Sequence, residues 1–157
     1  MAGTPREDER PEPIRFAELV EGWRRGPAAF PTSADLVRRY AAITGDDDPL
    51  FRDPEAARRG GFPGPVLPPG LAGVWARRAY IGDRPMLPGG VMAGQDLHFR
   101  AAHPVGAPLV LSARVVRQDP ADPKRRVLLA CEARDPDGRL VAEVTIDARW
   151  PPDEAPR

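Results

Sequence analysis

The chain has 157 residues, enough for one domain with a real core and too few for two sizeable ones. Its 23 basic and 23 acidic side chains cancel, so the balance lacks the positive excess of a nucleic-acid or membrane-surface binder, and neither partner is expected. A single cysteine, Cys131, excludes an internal disulfide, no apolar stretch approaches the roughly twenty residues that cross a bilayer, and Met1 to Asp8 do not read as a secretory leader; a cytoplasmic protein is the expectation.

Residues 1–13 are charged, contain proline and have almost no large apolar side chains, so they are expected to form a disordered N-terminal tail. Residues 151–157 are expected to form a C-terminal tail for the same reason, which leaves one domain over 14–150. Thr32-Ser33-Ala34-Asp35 supplies a hydroxyl cap and a first-turn acid, and Leu36, Val37, Tyr40 and Ile43 recur at helical spacing. Together they predict a helix over about 33–44, ended by Gly45. Asp46 to Phe51 then form a loop shaped by Pro49 and by acidic side chains able to accept from nearby backbone N–H groups. Asp53, with Pro54 at the first helical position and Gly60 just beyond the end, predicts a second, short helix.

Pro68-Pro69 launches a third helix from Gly70 to about Tyr80, with Leu71, Val74 and Trp75 on it. Glycines at 70 and 73 weaken a helix by roughly 1 kcal/mol each relative to alanine, which implies that this helix closely approaches a sheet. Strands are predicted over Met92–Ala101, Leu109–Gln118, Arg126–Arg134 and Leu140–Trp150, with Asp135-Pro136-Asp137-Gly138 as the turn between the last two. In the final strand Leu140, Ala142, Val144, Ile146, Ala148 and Trp150 alternate with Val141, Glu143, Thr145, Asp147 and Arg149, giving one buried face and one mostly wet one. Helices followed by an antiparallel meander predict an α+β domain in which a sheet wraps one helix.

The run Thr44-Gly45-Asp46-Asp47-Asp48-Pro49-Leu50-Phe51-Arg52-Asp53 resembles the hydratase motif of the MaoC-like, hotdog-fold enoyl-thioester hydratases, in which a Gly-Asp opens the loop and a His stands five residues beyond the Asp. Asp46 holds the first place here, and Phe51 the second. The stretch Asp53 to Phe62 and Leu67-Pro68-Pro69-Gly70 narrow the resemblance to the FAS1-like dehydratase, or MaoC N-terminal, branch. In that branch an aromatic often replaces the His, and Pro-Pro stands where hydratases have His-Gly. Met86 to Gly90 and Leu97 to Val105 resemble the family's passage into its sheet. The resemblance covers about residues 28–150. It implies a single hotdog domain, an antiparallel β-sheet wrapped around a central α-helix, whose protomers pair into one continuous sheet and whose ligand is an acyl-CoA or acyl carrier protein thioester.

Adding water across an α,β-unsaturated thioester needs a base for the water proton, an acid for the α-carbon, and donors for the carbonyl oxygen as charge builds on it. The resemblance assigns the acid/base role to Asp46, a substrate-lining role to Phe51, and the oxygen-holding backbone to Gly70 and Leu71 at the start of the central helix. Phe51 can neither donate nor accept a proton, and losing one of two acid/base groups typically costs a factor of roughly 10² to 10⁴. Read from chemistry alone, Asp46 is equally a loop acid bonding its own backbone, Asp47 and Asp48 are solvated, with Asp48 forming the turn, and Asp53 is a helix cap. His98 lies in a predicted strand and His103 at a strand end, both expected in structural or surface roles. Cys131, without a neighbouring histidine, is expected in the core, and two histidines and one cysteine without ligand spacing argue against a metal site. No cofactor is expected.

The leading expectation is an acyl-thioester-binding, non-catalytic subunit of a heteromeric (R)-specific enoyl-thioester hydratase or 3-hydroxyacyl-thioester dehydratase, whose hotdog partner subunit supplies the Asp/His pair. The alternatives are a homodimeric thioester-binding protein without hydratase activity and a weak hydratase that uses Asp46 through water alone or with a displaced histidine.

Overall fold

The computed structural model describes residues 11–152, so of the tails expected at 1–13 and 151–157, residues 1–10 and 153–157 lie outside the described residues. In chain order the elements are strand β1 (Arg24–Phe30), helices α1 (Ala34–Thr44), α2 (Pro54–Arg59) and α3 (Ala72–Ile81), and strands β2 (Val91–Phe99), β3 (Leu109–Gln118), β4 (Arg126–Arg134) and β5 (Leu140–Arg149). The five strands form one antiparallel sheet in the order β1-β3-β4-β5-β2, an α+β architecture in which the sheet curls around α3.

The predicted caps form. Ser33 Oγ accepts from Leu36 N and Gly45 closes α1 in the left-handed region, while Asp53 caps α2 through Glu55 N at 2.8 Å, with Pro54 at its first position. The inner strands of the sheet also agree with the sequence, because their side chains alternate. On β3 Leu109, Leu111, Ala113 and Val115 are buried, on β4 Val127, Leu129, Cys131 and Ala133, and on β5 Val144, Ile146 and Ala148. These faces meet Ala72, Trp75, Ala76, Ala79 and Tyr80, the stripe that α3 presents at three- and four-residue spacing. Each large aliphatic side chain removed from water here contributes about 1.5–3 kcal/mol.

Several expectations need correction. The sequence pattern predicts no strand over 24–30, yet β1 pairs with β3, with a register shift between Arg25 and Ala28 that accommodates Gly26-Pro27. Gly26 has a φ of 93°, and a Cβ there would run into the Leu111 carbonyl, so glycine is required where this edge strand crosses its neighbour. Ile43 is 85% exposed, because α1 lies at the periphery and buries Val37 alone, with Leu36 and Tyr40 half-covered. The glycines of the third helix do not mark its approach to the sheet. A Cβ at Gly73 would stand in open space, whereas one at Gly70 would overlap the Tyr40 hydroxyl, so it is α1 that comes close. Val141, expected on the wet face, is buried, and the strand expected at 92–101 ends at Phe99.

The domain's ends are fastened down, and the anchors reach into the segments expected as tails. Arg84 Nε donates to Glu12 O at 2.7 Å and its Nη2 to Pro13 O at 2.8 Å, while both terminal nitrogens reach Glu18 at 2.8 Å. Those bonds hold the Glu18 carboxyl below its usual range. Trp150 Nε1 donates to Ile14 O at 2.9 Å, its ring meets Tyr80 edge-on at 6.1 Å between centroids, and Pro151 beyond it is buried. Among the described residues no helix is long and apolar enough to cross a membrane.

Candidate functional site

Thr44 to Asp53 fold into a compact bend between α1 and α2. Thr44 Oγ1 accepts from Asp46 N at 3.2 Å, and Asp48 Oδ1 caps a single 3-10 turn, Pro49–Phe51, by accepting from Leu50 N at 2.9 Å. Asp53 N donates back to Pro49 O at 2.8 Å, and Val66 N to Leu50 O at 3.2 Å, so the bend is tied both to the cap of α2 and to the segment that leads into α3. The turn-forming acid is therefore Asp48. Asp47 is exposed and 3.6 Å from the Arg52 guanidinium, and Asp46 is half-exposed, its N–H used by Thr44.

Two cavities flank this bend. One, of about 490 Å³, lies beneath the start of α3 and is walled by Phe51, Phe62, Leu71, Trp75, Phe99 and His103. The other, of about 550 Å³, runs along α1 and is walled by Val37, Arg38, Asp46, Asp48, Phe51 and Arg52. Both volumes fall in the range of small-molecule sites, about 300–1,000 Å³. Phe51 belongs to both walls.

The structure thus separates the residues expected to work together. Asp46 faces the cavity along α1, while Leu71 faces the apolar one. Gly70 lies exposed at the helix start against Tyr40, a neighbour that sequence spacing could not reveal. Leu71 N donates to Pro68 O at 3.1 Å within the 3-10 turn that opens α3, and Pro69 has no N–H, so among the described residues Gly70 N is the amide left at that end without a backbone acceptor.

Neither histidine lines the cavity that Asp46 lines. His98 is exposed on β2. His103 is buried in the wall of the apolar cavity, where its Nε2 lies 2.7 Å from Ala107 O, the carbonyl that also accepts from Thr32 Oγ1. A carbonyl can only accept, so Nε2 bears the proton, and Nδ1 is left buried without a partner among the described residues. The ring stands in a wall that Asp46 does not share. Cys131 sits in the core on β4, where burial pushes its thiol up to about 12, away from nucleophilic use. Among the described residues no cluster of three or more histidine, cysteine, aspartate or glutamate side chains could hold a metal ion.

The family model for the FAS1-like, dehydratase domain region matches residues 20–143. Among curated proteins, the alpha subunit of a 3-oxo-4,17-pregnadiene-20-carboxyl-CoA hydratase from Mycobacterium tuberculosis is 34% identical over 58 residues, 37% of this chain; the chain spans only 19% of that relative's length. Among solved structures, the unliganded R-hydratase PhaJ1 from Pseudomonas aeruginosa superposes with a TM-score of 0.75 at 23% identity, covering 92% of this chain and 95% of that one. The ChsH1-ChsH2 complex from Mycobacterium tuberculosis gives a TM-score of 0.65 at 20% identity, covering 89% and 96%. The central helix wrapped by a five-stranded antiparallel sheet is the fold of these hotdog proteins. With a family model matched from the strand-β1 region into β5, the chain belongs to the FAS1-like dehydratase domain family and has the hotdog fold.

Proposed function

We propose that this chain is the acyl-thioester-binding, non-catalytic subunit of a heteromeric (R)-specific enoyl-thioester hydratase or 3-hydroxyacyl-thioester dehydratase. The observation behind the proposal is Phe51. A phenyl ring stands at the position of the second proton-transfer group and also stands in the wall of both cavities, so the site keeps its room for a ligand and lacks the means to move a proton. Asp46, opening on the cavity away from Leu71 and without a histidine beside it, has no proton relay to work with.

A hotdog partner with an intact Asp/His pair supplies the chemistry in this reading. Support for a partner comes from β2, an edge strand exposed along nearly its whole length, and from two similar proteins, one the alpha subunit of a hydratase and the other a ChsH1-ChsH2 complex. Acyl-CoA and acyl carrier protein thioesters are both candidate ligands.

The test is reconstitution with a hotdog chain that has both catalytic residues, followed by an enoyl-CoA hydration assay. Asp46→Asn in this chain is expected to leave kcat of the complex within about threefold, whereas replacing the partner's catalytic aspartate abolishes activity. A fall of about a hundredfold or more on Asp46→Asn, with assembly intact, would make this chain catalytic and end the proposal.

A further inference from the structure

We propose that Phe51 is the partition that limits acyl-chain length, ending the apolar cavity beneath α3 and separating it from the cavity along α1. The inference rests on the acyl-thioester reading above and adds a role for the ring that stands in place of the proton carrier. Among the described residues Phe51 is the one common to both walls. Both compartments are mostly apolar, and they differ in the side chains that surround them. The first is surrounded by Phe62, Leu71, Trp75 and Phe99 and suits an alkyl chain; the second sets Val37 and Ala41 beneath a rim of Asp46, Asp48, Arg38 and Arg52. An acyl chain entering the first gains from burial until it meets the phenyl ring.

The position of that ring is fixed by the backbone under it. Phe51 N donates to Asp48 O at 3.1 Å, Arg52 N and Asp53 N both donate to Pro49 O, and Val66 N holds Leu50 O. Leu50 is seated against Gly60, where a Cβ would come within 2.7 Å of its Cδ2. With the turn held at these points, the size of the side chain at 51 sets where the wall stands. A smaller side chain joins the two compartments into a channel of roughly twice the volume of either.

The test uses the full chain, together with any hotdog subunit that copurifies with it, titrated calorimetrically with butanoyl-, octanoyl- and hexadecanoyl-CoA and with CoA alone as control. In the wild type, affinity rises with chain length and then levels off. Phe51→Leu and Phe51→Ala are expected to move that plateau to longer chains, gaining about fourfold for each methylene newly admitted. Phe51→Trp is expected to move it to shorter ones. The leucine and tryptophan variants keep the test decisive if the alanine variant does not fold. An unmoved plateau, with wild-type binding intact, overturns the partition and leaves the acyl-thioester reading standing. Failure of every acyl-CoA to bind better than CoA alone, in wild type and variants alike, overturns that reading and the partition with it.

Discussion

Strands β5 and β2 are paired along their length, yet they live in different surroundings. On β5 alternate side chains are buried, with Val144 at 1% and Ile146 at 2% exposure; on β2 Val91, Met92, Leu97 and Phe99 are all among the exposed large hydrophobics. The difference lies in what covers them. Helix α3 packs chiefly on β3 and β4 and also meets β1 and β5, while β2 shares with the outward side of the helix, at Gly73 and Arg77, an open groove of about 250 Å³. A strand acquires a hydrophobic face only where another layer closes over it. One with apolar side chains, no covering layer and a free backbone edge is prepared for pairing with another chain. The proposed assembly places the partner subunit, or a second copy, on that edge.

Substitutions on the two kinds of strand put this contrast at risk. Leu129→Ala on β4, where the side chain is fully buried, is expected to lower unfolding free energy by about 2–5 kcal/mol, whereas Leu97→Ala on β2 stays within about 0.5 kcal/mol in the unassembled chain. Urea denaturation measures both, and equal losses would mean that β2 is as much core as β4. Leu97→Asp approaches the question from the other side. It is expected to weaken assembly at least about tenfold, equivalent to about 1.4 kcal/mol, without unfolding the subunit. Sedimentation that finds the assembly unchanged would remove β2 from the interface.

A further, small effect concerns the brace at the N-terminal segment. The Arg84 guanidinium holds the Glu18 carboxyl below its usual value of 4.5, so the folded state binds that proton less readily than the unfolded one. The resulting stabilisation is present above that value and is lost as pH falls below it, through the lowered folded-state value. Because the pair is partly exposed, its contribution is expected to be at most about 1 kcal/mol, and Glu18→Gln should remove that part of the acid dependence in thermal melts.

The features legible in the sequence are local or periodic. Ser33, Gly45, Asp53 and Pro54 act through neighbours a few residues away, and β3 to β5 alternate because both of their faces have fixed surroundings, so caps and inner strands could be read. Strand β1 could not, since Gly26-Pro27 interrupts any alternation and its pairing depends on β3, far along the chain. The outward placement of Ile43 and Val74 is hidden for a similar reason: helical spacing shows which side chains share a face and is silent on what lies opposite. At the candidate site, Asp46 and Phe51 are singled out by the loop's resemblance to the family motif. The division of the space around Phe51, and the Tyr40 hydroxyl packed on Gly70, arise from segments brought together only by folding.

The bond from the Trp150 indole to the Ile14 carbonyl brings the first and last segments of the domain side by side. Topologically the stretch from Ile14 to Trp150 is nearly a ring, open at one seam. A short tether could close that seam, and the ring could be reopened at the exposed Asp135-to-Gly138 turn without severing any strand ladder.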